Sequence, residues 1–422
     1  MTDRARPAAW MRVPFLIGAL TVAGMPPVGA QEMHRMSMGA ADSIRMPEGK
    51  TSITVPFRRS GEHILIPVGV NGNAPVWVVL DTGMPGPGVL LYDGPAVSVL
   101  ALEYMPVQAQ VGGAGGSGES IQARIAAGAT LRIGEAEIRN AMVTVLPPVA
   151  FLSAIHNGII GAGVFKNFVV TIDHDRGEIT LTLPERYRPS TNAATVPMIL
   201  DGRVAYVDAG LVSAAGKVSP LRLIVDLGAS HPVSLNATTD PAIQIPQDAL
   251  TTRIGRGMSG EVRGRVGRIP GLELGGIRLT NVIATFPNPD HENPRGLDSR
   301  NGNLGSGVLG RFNITFDYPH QKIHLVRNQR FASPFEWDMS GLVLEPGPGD
   351  TLSVAQVVPG SPAALAGVAG GDRIVAIGGH TVTNRDLPDT RDWLRKDGAE
   401  VELRTVRSGM ERVEKIRLRR MI

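Results

Sequence analysis

The chain has 422 residues, 43% of them apolar and 19% charged, with a formal net charge of +3 and no cysteine. Such a length and apolar content suit two to four packed domains and exclude a disordered chain. The missing cysteines exclude disulfides, thiolate metal sites and a cysteine nucleophile.

Residues 1–30 place Arg4, Arg6 and Arg12 ahead of an apolar run over 13–25, with small residues before Gln31. That pattern is expected of a signal peptide, and with no cysteine it points to a bacterial periplasmic or secreted protein. Removing it takes away three arginines and one aspartate and leaves +1. A near-neutral chain offers no concentrated basic face, so nucleic acid is not an expected partner. No later segment reaches membrane length, so no membrane span is expected after signal removal. Residues 31–50 read as a flexible leader. Met33, His34, Met36 and Met38 there are soft-metal donors that nothing holds in geometry, so no metal and no cofactor are expected.

Residues 76–80, VWVVL, read as a strand buried on both faces, and Asp81 follows directly. A carboxylate carried into an apolar interior is costly unless it has a partner or a task. Thr82-Gly83 and the Gly/Pro-rich loop 84–88 come next.

Comparing the chain with itself supplies the partner. Residues 157–181 lie over 301–325 without a gap and share ten identities in twenty-five positions, among them Gly161 over Gly305, Thr171 over Thr315 and Asp173 over Asp317. Residues from Leu131 match those from Leu272, with Gly134 over Gly275 and Asn140 over Asn281. The same order of matches, with short gaps, sets Asp81 over Asp226, again after an apolar strand and with Gly228 two residues on. A period this long implies a duplicated domain packed about a pseudo-two-fold axis, which brings equivalent residues face to face. Two facing carboxyls cannot both ionise cheaply and share a proton. One can then activate a water while the other hydrogen-bonds a substrate carbonyl.

Asp81-Thr82-Gly83 and Asp226-Leu227-Gly228-Ala229, each followed about eighty residues later by an apolar segment ending in Gly161 or Gly305, resemble the aspartic peptidases. Each half is similar to a retropepsin-like subunit, and the fused pair resembles the two-lobed pepsin plan. The resemblance implies a mainly β chain with two acid-protease β-barrel lobes, at residues 51–188 and 189–332. It makes Asp81 and Asp226 the catalytic dyad, supported by Thr82, Gly83, Leu227, Gly228, Ala229, Gly161 and Gly305. In the family, hydroxyls after both aspartates pair across the interface; Thr82 fits and Leu227 does not. Met84 stands where a small residue is usual, and Asn303-Leu304-Gly305 is a weaker version of Ile159-Ile160-Gly161. Flap hairpins are expected at residues 111–125 and 253–267.

After residue 338 the composition changes. Strands are expected at residues 354–358, 373–377, 401–405 and 413–418, a short helix from Ser361 to Gly367, and a second helix over 387–396. This order and the segment GSPAALAG…GGDRI resemble a bacterial PDZ domain over residues 339–422, a small α+β unit. The resemblance implies that Gly341, Leu342, Val343 and Leu344 receive a peptide, its C-terminal carboxylate on their backbone amides. The reading is an exported aspartic endopeptidase acting on polypeptide. The alternative, from Leu227 and Met84, is a weakened or inactive protease-like peptide-binding scaffold.

Overall fold

The computed structural model describes residues 43–112, 120–148, 150–153, 155–258, 260–292 and 300–422. The expected signal peptide, most of the leader and the glycine tract of the first flap lie outside them.

Alternating and fully apolar runs produce strands almost throughout. A nine-stranded sheet spans residues 43–160 and closes on itself. Its long strands Ser120–Ile133 and Ala136–Leu146 pair antiparallel, and the latter also runs parallel to Val89–Tyr92. An eight-stranded sheet over residues 199–305 closes likewise, through Val204–Val212 against Gly260–Leu274. Asn140 and Asn281, equivalent in the repeat, both take left-handed backbone, at φ 59° and 53°.

A third, six-stranded sheet joins the halves. From one edge to the other it runs Ala194–Pro197, Lys322–Arg327, Phe312–Asp317, Val169–Asp173, Glu178–Thr182 and Ser52–Pro56, so each half gives three strands in mirrored order. At its centre Thr171 lies opposite Thr315, with their hydroxyls 2.9 Å apart. Repeat-equivalent residues touching each other mark a pseudo-two-fold axis. Buried Phe165, Phe316 and Tyr318 pack against one another beside it, with ring centroids 5.4 Å and 5.2 Å from Phe165.

The C-terminal unit has its own core around Leu352, Val354, Ile374 and Leu403. Its sheet runs Leu342–Gly347, Thr351–Val357, Arg373–Ile377, Glu400–Arg407 and Met410–Arg417, which leaves Leu342–Gly347 at an edge. Ser361 caps the helix Pro362–Leu365 by accepting from the Ala364 N–H at 3.3 Å. The second helix, Leu387–Trp393, ends three residues before the expected 396, because Leu394 has already left helical geometry at φ −102°, ψ 18°.

This unit is fastened to both halves. Glu62 pairs with Arg330 at 3.1 Å and with Arg395 of the C-terminal unit at 3.6 Å. The Gly61 N–H donates to Asp389 at 3.0 Å, and Arg391 donates to the Ser230 hydroxyl at 3.0 Å.

Candidate active site

Two strands end at one point on the pseudo-two-fold axis. Val76–Leu80 delivers Asp81, and Val218–Asp226 ends on Asp226. Each is threaded from behind by a short parallel strand. Gly158–Ile160 sets Ile160 opposite Leu80, and Gly302–Gly305 sets Gly305 opposite Asp226. Beyond these, the Ala162 N–H donates to the Met84 carbonyl at 3.0 Å and the Ser306 N–H to the Ala229 carbonyl at 2.8 Å. The two contacts are equivalent, so Met84 leaves the main-chain support of its loop intact.

The carboxyls of Asp81 and Asp226 are hydrogen-bonded to each other. Oδ1 of Asp81 also accepts from the Gly83 N–H at 2.7 Å and, across the interface, from the Gly228 N–H at 3.2 Å. Only glycine fits beside them. A Cβ on Gly228 would lie 2.4 Å from Asp81 Oδ2, and one on Gly83 2.8 Å from Asp226 Oδ1. Burial raises Asp81 well above the usual carboxylate range, and the Asp226 charge adds to the rise. Burial also raises Asp226, but hydrogen bonds from Asp81 and Asn303 hold it back. With both carboxyls raised, the pair holds one proton between them over a range of pH in which two separate carboxyls would both be ionised.

Thr82 spans the interface without a facing hydroxyl at Leu227. Its buried Oγ1 donates to the Val225 carbonyl at 2.7 Å and accepts the Leu227 N–H at 3.0 Å. One hydroxyl thus spans the interface on main-chain partners, and Leu227 takes part through its backbone. The Leu227 side chain is 1% exposed within the core, and its carbonyl accepts from the Ser306 hydroxyl at 2.7 Å.

Four residues outside the expected site set reach the same place. Asn303 donates through Nδ2 to Asp226 Oδ2 at 3.0 Å. His63 Nε2 lies 3.0 Å from the Gly228 carbonyl; burial and then Arg391 hold its pKa below normal, so the neutral ring donates. His156, pushed down to about 4 mainly by burial, lines the same cleft. His231 also lines it, with Nε2 buried and unpartnered and its pKa down to about 4 through burial and Arg391. Only Asn303 had a possible signal, the break in the apolar-apolar-Gly pattern.

The cleft over the dyad encloses about 660 Å³. Val111 and Gly112, at the described end of the first expected flap, and residues 253–258 of the second line it. Its far wall is the C-terminal unit, with residues 341–346, Leu387, Arg391 and Arg395. The edge strand carrying Val343 and Leu344 therefore opens into the same cavity as the dyad. Two of the four expected amide donors are already engaged. The Gly341 N–H donates to Asp338 Oδ1 at 2.8 Å and the Leu342 N–H to the Ser340 hydroxyl at 3.1 Å. Arg253 of the second hairpin donates to the Leu344 carbonyl at 3.1 Å and to Glu345 at 3.1 Å.

Residues 212–311 match the aspartyl protease family, and residues 353–407 match the PDZ domain. The chain thus combines a segment matching an aspartyl protease domain with a C-terminal segment matching a PDZ domain. No curated protein sequence matches it. Among solved structures, it is similar to the aspartic proteinase from Irpex lacteus, at 12% identity over 67% of this chain and 99% of that one, with a TM-score of 0.45. It is also similar to a photosystem II D1 C-terminal processing protease, at 26% identity and a TM-score of 0.20. That match covers 22% of this chain and only about a quarter of the other, 26%.

Proposed function

We propose that the chain is an aspartic endopeptidase in which Asp81 and Asp226 hydrolyse peptide bonds in polypeptides presented by the PDZ domain. The observation that carries this reading is the hydrogen-bonded, buried pair of carboxyls at the floor of the cleft. Asp226, ionised, takes a proton from a water as its oxygen adds to the scissile carbonyl carbon, while Asp81 gives its proton to the carbonyl oxygen. The gem-diol collapses when the amine nitrogen takes the proton from Asp226, one hydroxyl returns its proton to Asp81 as the carbonyl re-forms, and the C–N bond breaks. Gly83 and Gly228 admit the close approach that this transfer needs, and the Thr82 latch fixes the lobes in register.

The leader suits export, and the scaffold alternative would need a displaced dyad. A polypeptide adding to the PDZ edge strand must take the Leu344 carbonyl from Arg253, so docking and movement of the second hairpin go together. Purified residues 31–422 should digest an unfolded protein on the acid side of neutral, where the dyad holds one proton, and should leave it intact when either aspartate is changed to Asn. Full activity in either variant would end this reading.

A further inference from the structure

The dyad sits on a pseudo-two-fold axis, yet its two halves are not equivalent. Asn303 occupies the position that Ile159 holds in the first half, and the backbone register is the same: Ile159 lies opposite Val79, Asn303 opposite Ile224. The strands behind the two aspartates therefore differ at this point in side chain and not in path. From that position Nδ2 of Asn303 reaches Asp226 Oδ2 at 3.0 Å, and Ile159 has no donor to offer Asp81. A donor aimed at one carboxyl of a symmetric pair favours ionisation of that one.

We propose that Asn303 is a positioning residue that makes the pair unequal, holding Asp226 as the water-activating base and leaving the proton on Asp81. The inference rests on the peptidase reading for its catalytic meaning, although the inequality itself does not.

The groups facing Asp226 leave this work to Asn303. Asp81 meets it from the first lobe and Tyr318 interacts with both carboxyls from beside the axis. His63 is spent on the Gly228 carbonyl, and Arg391 of the PDZ helix reaches only as far as Ser230. The remaining partners of Asp226 are the backbone N–H groups of Gly228 and Ala229. Asp81 likewise has two backbone donors, its own Gly83 N–H at 2.7 Å and the Gly228 N–H across the interface at 3.2 Å, so backbone N–H groups serve both carboxyls. The amide of Asn303 carries no charge at any working pH, so it biases the pair without titrating itself.

The test compares Asn303→Leu and Asn303→Asp with the unchanged full chain, using a short fluorogenic peptide across pH 3 to 8. Losing a hydrogen bond to a carboxylate should move the acid limb of kcat/KM up by about one to two pH units in Asn303→Leu, with KM little changed. Asn303→Asp keeps the shape, so activity should survive where the introduced carboxyl is protonated and fall away at higher pH. An equal loss at every pH in both variants would mean a structural role only and overturn the proposal. Carboxyl ¹³C titration of the aspartates in wild type and Asn303→Leu supplies a readout without turnover. The lower step should rise in the variant, and an unchanged titration would also overturn the proposal. If the wild type cleaves nothing while the step still moves, the peptidase reading fails and the inequality stands.

Discussion

Two sites that hold carboxyl groups, one around Glu62 and one around Asp81 and Asp226, drive them in opposite directions. Glu62, with its side chain 10% exposed, sits among Arg330 at 3.1 Å, Arg59 at 3.5 Å and Arg395 at 3.6 Å. Burial pushes its pKa up, but the three guanidinium groups outweigh burial and hold it below the usual range. The Asp81–Asp226 pair is ringed by amide donors, and both pKa values rise. A carboxylate given cations is a fastener, here joining the two lobes to the PDZ domain. Carboxyls buried against each other weaken the fold at neutral pH, and such a cost is usual where a group does chemistry.

The comparison breaks most visibly when each carboxyl is neutralised in turn. Asp81→Asn or Asp226→Asn should lower turnover by on the order of a thousandfold or more while leaving the chain folded, as peptide hydrolysis and thermal melting would show. Glu62→Ala should do the reverse. Arg330, Arg59 and Arg395 keep 24–37% of their side chains exposed, so losing the carboxylate they share should cost about 1–3 kcal/mol in denaturant unfolding, while the chemistry on a short peptide changes far less than the stability.

Acidity sharpens the contrast because the two sites have opposite signs. A dyad with raised pKa values contributes stability below the unfolded carboxylate value, about 3.9, that is lost as pH rises through its raised values. Glu62, with a lowered pKa, contributes stability above its unfolded value, about 4.3, that is lost as pH falls through its lowered value. Between pH 3 and 8, Asp81→Asn/Asp226→Asn should therefore gain stability on the wild type as pH rises, and Glu62→Gln should fall behind it. Parallel melting curves for all three would contradict the assigned shifts.

The dyad was legible because a duplication leaves two copies of one motif, and an axis forces copies together. The PDZ unit was legible because its turns and caps are local. Partners brought in by tertiary packing left no trace of that kind. Glu62 is one acid after a turn glycine, and nothing in its neighbourhood announces Arg330 or Arg395. His63 lies 165 residues from the Gly228 carbonyl it meets. Asn303 was visible as a broken pattern and read as weakness, since a pattern of apolar residues does not show what a polar replacement touches. Sequence also places the PDZ domain after the lobes without saying that its edge strand faces their cleft.

Arg253 tests that shared cleft. Its side chain is 7% exposed and bridges Glu261 at 2.8 Å, Glu345 and the Leu344 carbonyl. Arg253→Ala should release the PDZ edge strand and tighten binding of a fluorescent peptide to the full chain by up to about tenfold. Unchanged affinity would show that the carbonyl is not what a docking peptide competes for.

The smallest effect is expected at Leu227, where the family's hydroxyl is missing. By the pseudo-symmetry with Thr82, a threonine there would face the Leu80 carbonyl and the Thr82 N–H, completing the latch with a hydrogen bond of about 1 kcal/mol. It would also empty part of a core position that is 1% exposed, and truncating a buried leucine costs about 2–5 kcal/mol. The packing loss is the larger, so Leu227→Thr should be less stable by about 1–4 kcal/mol, the difference of those two estimates. Turnover should change by less than about threefold, because the existing Thr82 bonds to Val225 and Leu227 already fix the carboxyls in register. A tenfold rise in kcat would instead mean that one hydroxyl leaves the dyad loose, and that this chain runs below what its two aspartates can deliver.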